Sequence, residues 1–205
     1  MEKRNELFRF FLVMVVGAAL TLGMSGYKRA LAEDGEHENS GPLLSVLQQS
    51  KVSLADGIRQ ATKGAEVPIS AKFELDDAGN LSLSVYTAGK GLSVDDKDNV
   101  LKELSGSPES TTWNPKEEIF ADTEHLEKAG MHLQLVAKSK VSLLDIVEKA
   151  SKEYQGTVFA VTPEVEDGKS VYEVKIAQEG KVSEHHYDIV TGAEVKMGKD
   201  TDDKY

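Results

Sequence analysis

Residues 140–195 read KVSLLDIVEKASKEYQGTVFAVTPEVEDGKSVYEVKIAQEGKVSEHHYDIVTGAEV. Ser142 followed three positions later by Asp145 is the N-cap pattern of a helix, and Leu143, Val147, Ala150 and Tyr154 recur at helical spacing as its buried stripe. Gly156 ends that helix. Residues 157–166 read as a strand containing Pro163, which suits an edge or a bulge because proline cannot donate to a ladder. After the Asp167-Gly168 turn, Tyr172, Val174 and Ile176 alternate with Glu173 and Lys175, so this strand covers a core on one side and meets water on the other. Past Glu179-Gly180, residues 182–187 form a third strand that ends in Asp188-x-x-Thr191-Gly192. One helix followed by antiparallel strands is a small α+β unit.

The same order occurs upstream. Ser53 and Asp56 repeat the cap, and Leu54, Ile58, Ala61 and Ala65 repeat the stripe, with Gly57 weakening the helix if it is exposed. Residues 69–75 read as a strand, 76–80 as a hairpin turn, and Leu81, Leu83 and Val85 as the next strand. Gly89-Lys90-Gly91 turns the chain toward a degenerate strand before Asp95. Lys51 and Lys140 open the two units 89 positions apart, the central strands match at 91, and Asp95 and Asn99 match Asp188 and Gly192 at 93. An offset that grows only between elements is what loop insertions produce. The expected organisation is two α+β units, each a helix on a small antiparallel sheet, at residues 49–104 and 140–196, joined by a linker and connecting helix at 105–139. Within that connector, Trp113 plugs the junction, Asn114-Pro115 starts a helix, and residues 122–137 carry Leu126, Ala129, Leu133 and Val136 on one side. Gly130 is a candidate break, and a strand over 131–136 is the alternative.

Residues 1–32 combine Lys3, Arg4 and Arg9, the apolar run 10–24, and Ala30-Leu31-Ala32, the layout of a signal peptide cleaved after Ala32. The alternative is an uncleaved anchor over 10–24, although fifteen apolar residues fall short of the ~20 needed to span as a helix. Cleavage removes five basic and two acidic side chains and takes the net charge from −11 to −14. Such acidity disfavours nucleic acid as a partner. The expected location is periplasmic or secreted, with no stable membrane insertion after cleavage. Zero cysteines exclude disulfide staples and thiol chemistry. Residues 33–48 read as a flexible acidic leader, with a short helix within reach over 43–47, and residues 197–205 as a disordered tail.

Glu184-His185-His186 is the one cluster with ligand chemistry for Zn, Ni or Cu. Adjacent side chains on a strand point to opposite faces, so His185 faces inward with Tyr187 while Glu184 and His186 face water. His37 in the leader, and His125 and His132 on the connecting helix, offer no second ligand set. No nucleophile elbow, His-Glu-x-x-His motif or phosphate-cradling glycine loop is present, so neither a catalytic residue nor a cofactor is assigned.

Taken together, the capped helix, the Asp-Gly turn, Val171-Tyr172-Glu173-Val174 and the closing Asp188, Thr191 and Gly192 resemble the PepSY domain, a family named for peptidase propeptides and a spore-germination protein. The resemblance is good over 140–195 and weaker over 51–101, where Asp98-Asn99 stands in place of Thr191-Gly192. It implies tandem copies in an exported, non-enzymatic protein that binds and modulates a protein partner, an envelope or secreted peptidase first among candidates. The alternative is a periplasmic metal-binding or metal-sensing protein that uses His185, His186 and the acidic surface. Asp188 and Gly192 read as hairpin-fixing residues rather than substrate contacts.

Overall fold

The computed structural model describes residues 40–62 and 64–197. The expected signal segment with Ala30 and Ala32, His37, and the tail beyond 197 lie outside the described residues. Four helices and eight strands follow in chain order: α1 (Gly41–Leu47), α2 (Leu54–Ala61), β1 (Val67–Leu75), β2 (Leu81–Ala88), β3 (Leu101–Gly106), β4 (Lys116–Ile119), α3 (Thr123–Val136), α4 (Leu143–Glu153), β5 (Thr157–Glu166), β6 (Lys169–Gln178), β7 (Lys181–Asp188) and β8 (Glu194–Val195). The class is α+β, as the sequence predicts.

The strands expected in two small sheets lie in one, ordered β4-β3-β2-β1-β5-β6-β7-β8 and antiparallel throughout. The halves meet where Ala71 pairs Val161 and Lys72 pairs Ala160. Neither half carries enough apolar surface for an ample core of its own, and joining them buries both inner edges. Pro163 lies beyond this short pairing, so its missing N–H costs no bond to β1; the bulge of β5 falls at Val158/Ala160 instead.

Both amphipathic helices begin on a serine. The Asp145 N–H donates to Ser142 Oγ at 3.1 Å and the Ser142 N–H donates back to Asp145 Oδ2 at 3.3 Å, a complete capping box. The Asp56 N–H donates likewise to Ser53 Oγ at 3.1 Å. Leu143, Ile146, Val147 and Ala150 of α4, and Leu54, Gly57, Ile58 and Ala61 of α2, are buried. Both expected stripes run one residue too far. Ala65 lies past the end of α2, and Tyr154 is the C-cap of α4 and only half-buried. The two helices pack on the sheet face that carries Phe73, Leu83, Val161 and Val174; α3 crosses the opposite face, where His132 Nδ1 lies 3.2 Å from Ser70 Oγ. Hairpin turns use paired left-handed residues, Asp167 and Gly168 at φ 49° and 73°, and Glu179 and Gly180 at 51° and 74°.

Four expectations need correction. The flexible leader does not reach 48: the short helix expected over 43–47 forms as α1 over 41–47, because Leu47 is buried and Leu43, Leu44 and Val46 pack beside it. Asp95 does not end a strand. Residues 89–100 are a loop tied by Asn99, whose Nδ2 donates to Gly91 O and Val94 O at 2.8 and 2.9 Å, and β3 comes only afterwards, running past the expected boundary at 104. Pro115 precedes a strand rather than a helix; α3 starts where the His125 N–H donates to Asp122 Oδ1 at 3.0 Å. α3 runs unbroken through Gly130, whose missing Cβ leaves room for the Asp96 carboxylate. Trp113 is buried, its Nε1 donating to Gly106 O at 3.1 Å.

Gly57 is buried, and a Cβ there would fall 2.3 Å from Leu83 Cδ2. Gly57→Ala gains about 1 kcal/mol of helix propensity but overpacks the helix–sheet contact by about 1–3 kcal/mol. A net loss of about 1 kcal/mol is expected by urea denaturation, whereas an exposed Gly57 would give a gain.

Candidate functional site

The Asp188-to-Gly192 motif builds a turn. Asp188 Oδ1 accepts from the Thr191 hydroxyl at 2.7 Å, the Thr191 N–H at 2.8 Å and the Val190 N–H at 3.2 Å. These bonds, the Thr191 hydroxyl foremost, hold its carboxyl below the usual range. The Gly192 N–H donates to Asp188 O at 2.8 Å, and Gly192 sits at φ 65°, with Val141 3.0 Å from where a Cβ would stand. Lys149 Nζ donates to Gly192 O at 2.6 Å, and the Ser139 hydroxyl to Ile189 O at 2.6 Å. The motif therefore fastens the β7–β8 turn to the entrance and flank of α4.

Strand alternation divides the two adjacent histidines. His185 pairs with Val174 across β6 and lies on the α4 side, its ring 3.7 Å from that of Tyr154 between centroids. Its Nδ1 is 3.1 Å from Glu194 Oε1 and its Nε2 is 3.1 Å from Ser183 Oγ. The Tyr154 hydroxyl donates to the same Glu194 oxygen, which pushes the phenol up to about 12 and holds the Glu194 carboxyl down. Hydroxyl, imidazole and carboxylate thus stand in series, an order that resembles a nucleophile, a base and the group that orients it. Here the carboxylate is shared with a tyrosine and the ring is clamped beneath it, so the series pins β7 and β8 to the end of α4.

His186 lies on the other face. Its Nε2 is 2.7 Å from Glu166 Oε2, 3.7 Å from Glu164 Oε1 and 4.0 Å from Glu173 Oε2. The side chain of His186 is only 12% exposed and that of Glu173 only 17%, so the expectation that His186 faces open water fails. The carboxylates around it remove the solvent. Lys175 Nζ reaches Glu173 at 3.2 Å and Glu184 at 3.5 Å. Burial, together with the charges of Glu173 and Glu166, pushes the Glu164 carboxyl up to about 7, and burial raises that of Glu173 against the pull of Lys175. Burial alone would lower Lys175, but the Glu173 and Glu184 carboxylates outweigh it and hold the ammonium above its ordinary value.

As strand alternation predicts, Glu184 and His186 share a face and His185 is across the sheet. Glu164, Glu166 and Glu173 were missed. The signal was available, since Glu164 and Glu166 are two apart on one strand and the Asp167-Gly168 turn fixes Glu173 opposite Thr162, beside them. Between α2 and α4 lies an open groove of about 510 Å³. Its Arg59 is already ion-paired to Asp56 and Glu148, and no reactive series converges there among the described residues. None of the described helices is long and apolar enough to cross a membrane.

Residues 140–197 match the PepSY family model, described as "Peptidase propeptide and YPEB domain". That match contains the whole second helix–strand unit and its closing turn. The sequence upstream of residue 140 lies outside it. No curated protein matches the chain. Among solved structures, a protein from Clostridium difficile 630 provisionally described as a lipoprotein is similar at 19% identity and TM-score 0.37, over 72% of this chain and 92% of its own.

Gly192→Ala forces a left-handed backbone on alanine and presses Val141, and is expected to cost about 1–3 kcal/mol by chemical denaturation. A second outcome concerns pH. Folded Glu164 keeps its proton up to about 7, whereas the unfolded side chain loses it near 4.5, so the folded state binds more protons within that window. Stability therefore falls as pH rises from about 4.5 to 7. In EDTA-containing buffer, Glu164→Gln is expected to be more stable than the parent at pH 8 by about 1 kcal/mol, solvent screening having reduced the full shift. It is also expected to show a flatter dependence of Tm on pH. Equal slopes for the two proteins would contradict this.

Proposed function

We propose that this chain is an exported, non-enzymatic protein that binds a protein partner, an envelope or secreted peptidase, and modulates its activity. The observation that carries the reading is the PepSY match over residues 140–197, a family whose description is that of a peptidase propeptide. Export is supported by the signal-like layout of residues 1–32, the absence of cysteine and the strongly acidic remainder. In the same reading the first half is a second, diverged copy of the domain. Its support is the mirrored strand order about β1 and β5, with a serine-capped helix leading each half. The copies differ most in the closing turn, where Asn99 holds a loop instead of Asp188 holding a hairpin.

The test is co-purification of the chain over residues 33–205 with a detergent-solubilised envelope fraction of its source, followed by a peptidase assay on whatever is retained. Recovery of a peptidase whose turnover changes on adding the free protein is expected; retention of no protein partner would count against the reading. A fluorophosphonate probe separates this from hydrolase chemistry. Ser183 is expected to remain unlabelled, because Glu194 is shared between His185 and Tyr154. Labelling that Ser183→Ala abolishes would make the protein an enzyme instead.

A further inference from the structure

The group around His186 has more negative charge than its neighbours can balance. Glu164, Glu166, Glu173 and Glu184 share one face of β5, β6 and β7, and Lys175 is the cation bonded among them. Protonating His186 would supply one further positive charge to four carboxylates of which Lys175 bridges only Glu173 and Glu184. A divalent ion would supply two at the centre of the group.

The donors are placed for one. Ligand atoms of Glu164, Glu173 and His186 all lie within 4.8 Å of one another. In a tetrahedral zinc site, with bonds of about 2.0–2.2 Å, ligand atoms stand about 3.3–3.6 Å apart. The separations of 3.7 and 4.0 Å from His186 Nε2 to the Glu164 and Glu173 oxygens are within a few tenths of an ångström of that spacing. Glu166 Oε2, on the same face, lies 2.7 Å from His186 Nε2 and holds the ring among these carboxylates. The scaffold is already rigid. Glu173 pairs directly with His186 across β6 and β7 and with Thr162 across β5 and β6, so the ligands stand on three adjacent hydrogen-bonded strands.

We propose that Glu164, Glu173 and His186 bind a divalent transition cation of zinc type on the sheet face opposite α2 and α4. One imidazole nitrogen among carboxylates selects against Cu(I), which needs thiolate or thioether, and against Ca²⁺ and Mg²⁺, which take oxygen ligands alone. His185 plays no part. The proposal is independent of the peptidase reading, because it requires no partner.

The experiment is calorimetric titration of the EDTA-stripped chain over residues 33–205 with ZnCl₂ at pH 7.5, with Co²⁺ absorption as a second readout of ligand geometry. One Zn²⁺ per chain with a micromolar Kd is expected, weakened at least tenfold in His186→Ala and in Glu173→Gln and unchanged in His185→Ala. Glu173→Gln guards against a His186 variant that fails to fold, and melting curves of both report on folding. Equal molar Ca²⁺ is expected not to displace Zn²⁺. Absence of Zn²⁺ binding, binding that survives both substitutions in folded protein, or loss of binding only in His185→Ala would each overturn the site.

Discussion

Two residue pairs, Ala71 with Val161 and Lys72 with Ala160, make one sheet out of two. Each half has a single capped helix and a few strands, too little apolar surface to exclude water from both sides of its inner edge. Ala71 and Val161 are completely buried once paired, and the helices above them, α2 and α4, pack on each other as well as on the strands. The helix contact is fastened at its rim by Arg59, bonded to Asp56 within α2 and to Glu148 of α4. Those ion pairs are half-exposed and contribute about 0–1 kcal/mol each, so the stability of the seam comes from the apolar contacts beneath them.

Once the sheet is continuous, the period of two along each strand sorts the chemistry of the whole molecule. On one face Phe73, Leu83, Val85, Val161, Val174 and Tyr187 form the floor under α2 and α4. On the other, the same strands present Ser70, Lys72, Glu164, Glu173 and His186. α3 supplies the cover for the central part of that second face, setting Ala129, Leu133 and Val136 inward. Adjacent residues on β7 consequently live in unlike surroundings. His185 is held between Tyr154 and Glu194, while His186 stands among glutamates.

Local signals in the sequence were read correctly wherever one residue type decides the conformation. Ser142 with Asp145, Ser53 with Asp56, and the Asp167-Gly168 turn each dictate a backbone geometry without help from distant parts of the chain. What escaped depends on contacts between distant residues. Gly57 looks like a weak point in a helix and is a close-packing position, because Leu83 lies against it. The acidic composition before residue 48 suggests a flexible leader, yet the leucines of 43–47 have a core to join. The offset from Asp188 places a strand end in residues 89–100, but a residue offset carries no sign that Asn99 satisfies Gly91 and Val94 with its own amide. The three glutamates near His186 were hidden for a related reason: each looks like an outward strand residue until hairpin register places them side by side.

The residues that build the closing turn and the residues that carry reactive chemistry are different sets. Asp188, Thr191 and Gly192 spend their hydrogen-bonding capacity on one another and on the approach to α4, so replacing them should disturb the fold before any encounter with another molecule. Glu164, Glu166, Glu173 and His186 lie inside the same matched segment but do little to fasten it, and Glu164 and Glu173 are destabilised as anions where they stand. A packed protein keeps such a cluster at a cost, since an apolar strand face would be the more stable arrangement. Fastening is therefore not what that face contributes, and whatever distinguishes this protein from others built on the same turn and capped helix is more economically sought among its four glutamates, its lysine and His186.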